Sequence, residues 1–145
     1  MPLRNPLLAG RLVRESAGNM QVLKSSSAEL APEFGILAGR WSQYTGLGSV
    51  PFDAMWCVVP PGGRSNTDHH PERELAVIVQ GAADVHVGGR AERAPAGTAV
   101  LLDSEEAHVL VNPSADDPLV VLSIYWLPDG QEQAAATAAG SADGG

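Results

Sequence analysis

Residues 62–81 of the chain read GGRSNTDHHPERELAVIVQG, and residues 97–112 read GTAVLLDSEEAHVLVN. Each stretch begins at a glycine and sets histidine or carboxylate residues beside a short run of branched apolar residues. Short runs of this kind, bounded by glycine or proline, are typical of antiparallel strands. The two stretches therefore predict two short strands that carry histidine and carboxylate side chains.

The same pattern extends outward in both directions, from residue 35 to residue 126. Clusters of glycine or proline recur about every eight to twelve residues. The apolar runs between these clusters cover residues 52–59, 75–79, 85–87, 99–102, 108–111 and 119–126. Many short strands at this spacing predict an all-β fold, either a sandwich or a barrel.

The chain has 145 residues and a hydrophobic content of 44%, which suffices for a single packed domain. Residues 35–128 are predicted to form the barrel, and residues 1–34, with a mixed pattern, an N-terminal arm. Residues 129–145 are rich in alanine and glycine and contain no large apolar residue. Because such a segment buries too little surface to offset its ordering entropy, it is predicted to be a disordered tail.

Charge and cysteine content narrow the expected partners and location. The formal net charge of −8 argues against nucleic acid and against an anionic membrane, since phosphate groups would repel the chain. No apolar run is long enough to span a bilayer, and the N-terminus lacks the pattern of a signal peptide. Cys57 is the single cysteine and cannot form an internal disulfide. A cytoplasmic location is therefore expected.

Four residues of the two opening stretches are candidate metal ligands. Asp68 and His70 are two positions apart, so on an extended segment they project to one side while His69 projects to the other. Glu74 opens the next apolar run, and His108 begins a later one. Imidazole and carboxylate groups together suit Zn, Fe, Mn, Ni or Co. Taken singly, each residue could instead be a hairpin carboxylate, a surface histidine or a strand-end cap.

The intervals between these residues resemble the two sequence motifs of the cupin family. The first motif is a glycine, five residues, His-x-His, three or four residues, a glutamate, six residues and a glycine, and it is matched by Gly62, Asp68, His70, Glu74 and Gly81. The second is a glycine, five residues, Pro-x-Gly, two residues, a histidine, three residues and an asparagine, and it is matched by Gly97, Asp103, Glu105, His108 and Asn112. All intervals hold, and fifteen residues separate the motifs.

The residue types depart from the family pattern at three positions. Asp68 stands where the family has its first histidine, while Asp103 and Glu105 stand where a turn has proline and glycine. The two turn replacements are expected to affect function little. At the metal site, Asp68 is the expected ligand, and an inward-turned His69 is the alternative that strand alternation disfavours.

The resemblance implies the cupin double-stranded β-helix, a jelly-roll barrel, which holds one divalent metal ion. The implied ligands are Asp68, His70, Glu74 and His108. Zn or Fe is the expected metal, with Mn, Ni and Co as alternatives. Small cupins commonly pair, so a homodimer is also expected, with an exposed strand edge as a place for pairing.

The resemblance further implies a metal-dependent enzyme that acts on a small polar metabolite in a biosynthetic or natural-product tailoring step. Similar cupins include dioxygenases, isomerases, cyclases, lyases and a zinc-dependent rearrangement that forms an N–N bond. Glu74 and Asp68 are the candidate catalytic carboxylates. Trp56, Ser123 and Tyr125 are the candidate substrate-pocket residues. The alternative function is a non-enzymatic module that binds a metal or a small ligand.

Overall fold

The computed structural model describes residues 20–128, which form strands, two short 3-10 turns at Ser25–Ser27 and Trp41–Gln43, and no α-helix. The strands in this range are β1 (Ala31–Glu33), β2 (Ile36–Arg40), β3 (Asp53–Val59), β4 (Arg73–Gln80), β5 (Ala82–Val87), β6 (Arg90–Pro95), β7 (Ala99–Leu102), β8 (His108–Val111) and β9 (Leu119–Trp126). The prediction of an all-β domain is confirmed. Within residues 20–128, no helix has the length and apolar character needed to cross a membrane.

Part of the predicted N-terminal arm and all of the predicted barrel can be compared with the structure. Residues 1–19 of the predicted arm, and the predicted tail at residues 129–145, lie outside the described residues. Residues 20–34 of the predicted arm include β1, which pairs antiparallel with β2. The sheet therefore begins a few residues before the predicted start of the barrel at residue 35.

The strands form two antiparallel sheets that share one hydrophobic core. The larger sheet has the order β1-β2-β3-β9-β4-β7, and the smaller has the order β6-β5-β8. The core cluster draws from both sheets and comprises Ile36, Cys57, Val59, Ala76, Ile78, Ala83, Val85, Ala94, Leu102, Leu110, Leu119 and Val121. A fully buried side chain the size of Ile78 or Leu102 contributes about 1.5–3 kcal/mol to stability.

The register of the larger sheet decides which side chains face this core. Strand β9 lies between β3 and β4, and Tyr125 is directly opposite Glu74 while Ser123 is directly opposite Met55. Directly opposite residues of an antiparallel pair project to the same face. Glu74 and Ser123 therefore lie on the interior face, whereas Trp56, one residue along from Met55, lies on the outer face.

Asn112, the last residue of the second motif, connects two loops beneath the barrel strands. Its side chain is buried, and its Nδ2 donates to the carbonyl oxygens of Val59 and Asp117 at 3.0 and 2.8 Å. Its Oδ1 accepts from the backbone N–H of Ser114 at 3.0 Å. These bonds satisfy the buried amide. Asn112 therefore has a structural role that explains its presence without any part in chemistry.

Candidate metal centre

Three of the predicted ligands, His70, Glu74 and His108, meet in the structure. Each offers a ligand atom, and these atoms all lie within 4.8 Å of one another. Glu74 Oε1 lies 3.3 Å from Nε2 of His70 and 3.5 Å from Nε2 of His108. The two imidazole rings are 5.3 Å apart between centroids and nearly perpendicular, at 78°. The three side chains thus surround one point from different directions.

Backbone carbonyl groups fix both imidazole rings in the orientation that metal binding requires. Nδ1 of His70 lies 3.0 Å from the carbonyl oxygen of Glu72, and Nδ1 of His108 lies 3.0 Å from that of Glu106. A carbonyl oxygen can only accept, so each Nδ1 carries a hydrogen and donates it. In the neutral ring the lone pair is then on Nε2, the atom that faces Glu74. The same kind of contact orients histidine ligands in metal sites generally.

Glu74 is buried in the interior, and its two carboxylate oxygens have different contacts. Its Oε2 accepts a hydrogen bond from Ser123 Oγ at 2.7 Å, which leaves Oε1 facing the two imidazoles. Burial raises the pKa of Glu74, but hydrogen bonds from His108, His70 and Ser123 outweigh it and lower the pKa to about 2. Glu74 is therefore a carboxylate at neutral pH, ready to accept a cation.

The buried carboxylate changes the pKa of both histidines. The hydrogen bond to Glu74 raises the pKa of His70 to about 9. Burial lowers the pKa of His108, yet its hydrogen bond to Glu74 raises the pKa overall. Without a metal ion, the raised pKa values favour protons on Nε2, between the imidazoles and the carboxylate. A divalent cation would displace these protons and take over the neutralisation of Glu74.

Asp68 and His69 lie on opposite sides of the same segment. Asp68 forms an isolated antiparallel bridge with His108, with backbone N–O distances of 3.2 and 2.9 Å, so both side chains project to the same face. Asp68 is half-buried, but it is not one of the three mutually close donors. The side chain of His69 is 68% exposed and lies 3.3 Å from Glu105. The structure therefore brings Asp68 to the side of the cluster and leaves His69 in solvent.

A cavity of about 210 Å³ lies directly beside the cluster. Its walls are Phe34, Arg40, Met55, His70, Glu72, Glu74 and Tyr125. Burial raises the pKa of the Tyr125 hydroxyl, so this group keeps its proton. A larger groove of about 640 Å³ is lined by residues of β5, β6 and β7, but none of the three close donors lines it. The donor positions, rather than cavity size, locate the site.

The predicted substrate-pocket residues have three different positions. Tyr125 lines the cavity, and Ser123 is completely buried behind Glu74. The structure does not bring Trp56 to the cavity, because Trp56 lies on the outer face of β3. There its Nε1 donates to the Tyr44 hydroxyl at 2.9 Å, and its ring lies 5.8 Å from that of Trp41.

Arg40 and Phe34 line the cavity but were not among the residues that the sequence analysis selected. Arg40 ends the strand Ile36–Arg40, in which Ile36 and Ala38 are buried on the same side. The available signal was that Arg40 alternates with two apolar residues, Ile36 and Ala38, which places its side chain on the same face of the strand. It was missed because this strand was not predicted.

The donor set fits a divalent metal ion. Two imidazole nitrogens and one carboxylate oxygen are the protein ligands of many catalytic zinc sites and of non-haem Fe(II) sites. Three such ligands leave further coordination positions for water or substrate. The residues present and the adjoining cavity therefore meet the chemical requirements of a metal centre.

Comparison with known proteins agrees with this architecture. The family model described as the cupin domain matches residues 55–125. A cupin 2 conserved barrel domain protein from Salinispora arenicola CNS-205 is 25% identical, with a TM-score of 0.67 over 81% of this chain and 98% of that chain.

Two more distant structures share the fold alone. The polyketide cyclase RemF from Streptomyces resistomycificus is 18% identical, with a TM-score of 0.61 over 73% of this chain and 78% of that chain. The cupin domain of Cnp3 from Schizosaccharomyces pombe is 12% identical, with a TM-score of 0.64 over 77% of this chain and 72% of that chain. The family match, the barrel of two antiparallel sheets and the two motifs together show that residues 55–125 belong to a cupin-superfamily domain.

Proposed function

We propose that this protein is a metal-dependent enzyme that acts on a small polar metabolite, in a biosynthetic or natural-product tailoring step. The observation that carries the proposal is the convergence of His70 Nε2, His108 Nε2 and Glu74 Oε1 beside an accessible cavity. A divalent ion held there would polarise a bound oxygen group or lower the pKa of a bound water. The cavity gives a substrate access to the same point.

The protein's own residues supply the remaining parts of the site. Carbonyl contacts aim both imidazoles, and Ser123 holds one oxygen of Glu74 so that the other faces the ion. Asp68 is proposed as a fourth ligand, supported by its bridge to His108 and its half-buried position. Two ligand carboxylates, Asp68 and Glu74, would make the site neutral with a divalent ion. Both are candidates for proton exchange with the substrate.

Zn or Fe is the proposed metal, and the metal's identity separates the candidate reactions. Both ions accept two imidazoles and a carboxylate, while Mn, Ni and Co remain alternatives. Because Zn has no redox chemistry, it would favour isomerase, cyclase, lyase or N–N bond-forming chemistry. Fe would instead favour a dioxygenase.

Elemental analysis of protein purified without added metal tests the proposal. We expect about one Zn or Fe per chain in the wild type and in His86→Ala, since His86 is an exposed residue on β5. We expect His70→Ala and His108→Ala to lose stoichiometric metal while their circular dichroism stays that of a β-barrel. Full metal retention in either variant would remove that histidine from the site, and metal-free wild type that takes up no added Zn or Fe would refute the proposal.

The outer face of the larger sheet supports the homodimer expected from the sequence. Leu75, Val77, Leu101, Leu122 and Ile124 all lie on the side of the sheet opposite the core, as the register of β4 with β7 and β9 shows. Leu101 is 51% exposed and the others are half-buried. A continuous apolar sheet face of this kind marks an interaction surface. Light scattering should therefore give the mass of a dimer. The cytoplasmic location expected from the sequence is also part of the proposal.

A further inference from the structure

Arg40 and Tyr125 form a polar pair on the cavity wall beside the metal ligands. Arg40 ends β2 and is directly opposite Met55 on β3, which is directly opposite Ser123 on β9. Tyr125, two residues beyond Ser123, therefore projects to the same face. Both Arg40 and Tyr125 line the cavity that His70 and Glu74 also line. The pair and the metal ligands thus share one space.

The guanidinium group of Arg40 has a fixed orientation and unused donors. Its Nη2 lies 2.7 Å from Glu33 Oε2, and its Nη1 donates to the Tyr125 hydroxyl oxygen at 3.0 Å. Its central carbon also lies 5.6 Å from the centre of the Phe34 ring. A guanidinium group has five N–H donors, so three remain beyond these two bonds. Arg40 is therefore held in place without being saturated.

The hydroxyl group of Tyr125 also has a free donor. Its oxygen accepts from Arg40, so its own hydrogen is not used in that bond. Within residues 20–128, no side chain or backbone oxygen accepts this hydrogen. Of the two residues directly opposite Tyr125, Asp53 accepts no hydrogen bond from it, and Glu74 has its Oε2 bonded to Ser123 and its Oε1 facing the imidazoles. The Tyr125 O–H is thus available to a molecule in the cavity.

We propose that the substrate is a small hydroxy carboxylate and that Arg40 and Tyr125 bind its carboxylate group. This inference rests on the proposed metal centre. N–H and O–H donors on one wall and a cation beside them are complementary to an anionic oxygen pair, because charge-assisted hydrogen bonds are about twice as strong as neutral ones. An amine would face two positive groups, and an apolar molecule would leave the donors without partners.

Glu72 and the cavity volume define the rest of the substrate. The Glu72 carboxylate also lines the cavity and can only accept, so it suits a hydroxyl donor on the same molecule. A volume of about 210 Å³ corresponds to roughly seven water molecules at about 30 Å³ each. The cavity therefore accommodates a hydroxy acid of a few carbon atoms.

Calorimetric titration with lactate, and with lactamide as its neutral counterpart, tests this assignment. The titrations use the full chain loaded with Co²⁺, after the metal content of each variant is measured. We expect lactate to bind wild type at least about tenfold more tightly than lactamide, and Arg40→Met to raise the lactate dissociation constant about tenfold. Tyr125→Phe should raise it severalfold, and neither variant should change metal content.

Arg93→Met is the matched control, since Arg93 forms a comparable exposed ion pair with Asp84 on the smaller sheet. It should bind lactate as the wild type does. Equal lactate binding by wild type and Arg40→Met, or no preference for lactate over lactamide, would overturn the assignment and leave the metal centre standing. If wild type bound no Co²⁺, the metal centre would fail instead. In that case the metal-free chain is titrated with lactate. Lactate binding that depends on Arg40 would support the carboxylate assignment, and binding that does not depend on Arg40 would overturn it.

Discussion

Ser123 contacts the proposed metal centre only through Glu74 and holds one oxygen of that carboxylate. It is completely buried, and its hydroxyl donates to Glu74 Oε2 at 2.7 Å. We expect Ser123→Ala to weaken metal binding about 10- to 100-fold, because Glu74 loses the bond that orients it. Competition with a chromogenic chelator measures the change. Ser42→Ala, at an exposed position, is the control, and unchanged affinity in Ser123→Ala would contradict this role.

Asp68 and His69 give a second test at the residue scale. Because Asp68 projects to the side of His108 while His69 lies in solvent, Asp68→Ala should lower metal affinity and His69→Ala should not. Asp68→His should keep the metal, since imidazole is the family's ligand at this position. Equilibrium dialysis with zinc measures all three. The reverse ranking of the two alanine variants would show that His69 turns inward on metal binding.

Within the site, the sequence was informative about the residues that are fixed by the spacing of the two motifs. The intervals within the motifs selected His70, Glu74 and His108, which the structure brings together. Trp56 was placed in the pocket because β3 is apolar on both faces, with Trp56 and Cys57 both buried, so that alternation could not assign a face. Its neighbours on the outer face come from the distant turn at Trp41–Gln43, which no local pattern predicts.

At the scale of elements, strands were predicted where burial imposes an apolar pattern. The bounds of β7, β8 and β9 agree with the predicted runs. Strand β6 was missed because five of its six residues are exposed, and it is a strand only through pairing with β5. The β1–β2 hairpin was missed because Phe34, at a φ of 59°, occupies a turn position that usually requires glycine or asparagine.

Two motif glycines differ in a way that a matched pair of variants can test. Both Gly81 and Gly97 have positive φ, at 84° and 91°. A Cβ at Gly81 would lie 2.8 Å from the Pro118 carbonyl oxygen, whereas a Cβ at Gly97 would meet nothing within 4 Å. We expect Gly97→Ala to lower the free energy of unfolding by about 1–2 kcal/mol. Gly81→Ala should cost about 1–3 kcal/mol more, because the backbone must also shift.

Urea denaturation of both glycine variants and the wild type gives these free energies. Gly89→Ala is a suitable control, since a Cβ there meets nothing within 4 Å and its φ is outside the left-handed region. If Gly81→Ala and Gly97→Ala lower the free energy of unfolding equally, backbone conformation alone explains why the first motif ends in glycine at position 81.

For the whole molecule, the proposed metal centre lies where the two sheets meet. Glu74 belongs to β4 of the larger sheet, and His108 begins β8 of the smaller one. A bound ion would connect the sheets and stabilise the folded state, by about 2.7 kcal/mol at a free metal concentration 100 times Kd. Without the ion, the contact of His108 with Glu74 joins the sheets at this point, in addition to their shared core, and the contacts of both imidazoles with Glu74 depend on pH.

The metal-free and metal-loaded proteins should therefore differ in their response to alkaline pH. In the metal-free protein the pKa of His70 is raised from 6.5 to about 9, so its contribution is complete below pH 6.5 and is lost as pH rises through about 9. The pKa of Glu74 is lowered from 4.5 to about 2, so its contribution is complete above pH 4.5 and is lost as pH falls through about 2. Besides these two groups, His108, Asp68 and Glu72 face His70.

We expect the Tm of chelator-treated protein to fall between pH 6.5 and 9, while zinc-loaded protein keeps its Tm, because the ion binds neutral imidazoles and needs no proton. The difference in Tm between the two forms should thus widen as pH rises across this interval. Scanning calorimetry of both forms at matched ionic strength measures it. His70→Gln, which has no titrating ring, should flatten the metal-free curve. A metal-free Tm that stays level or rises over the same interval would show that the proton between His70 and Glu74 does not stabilise the folded state.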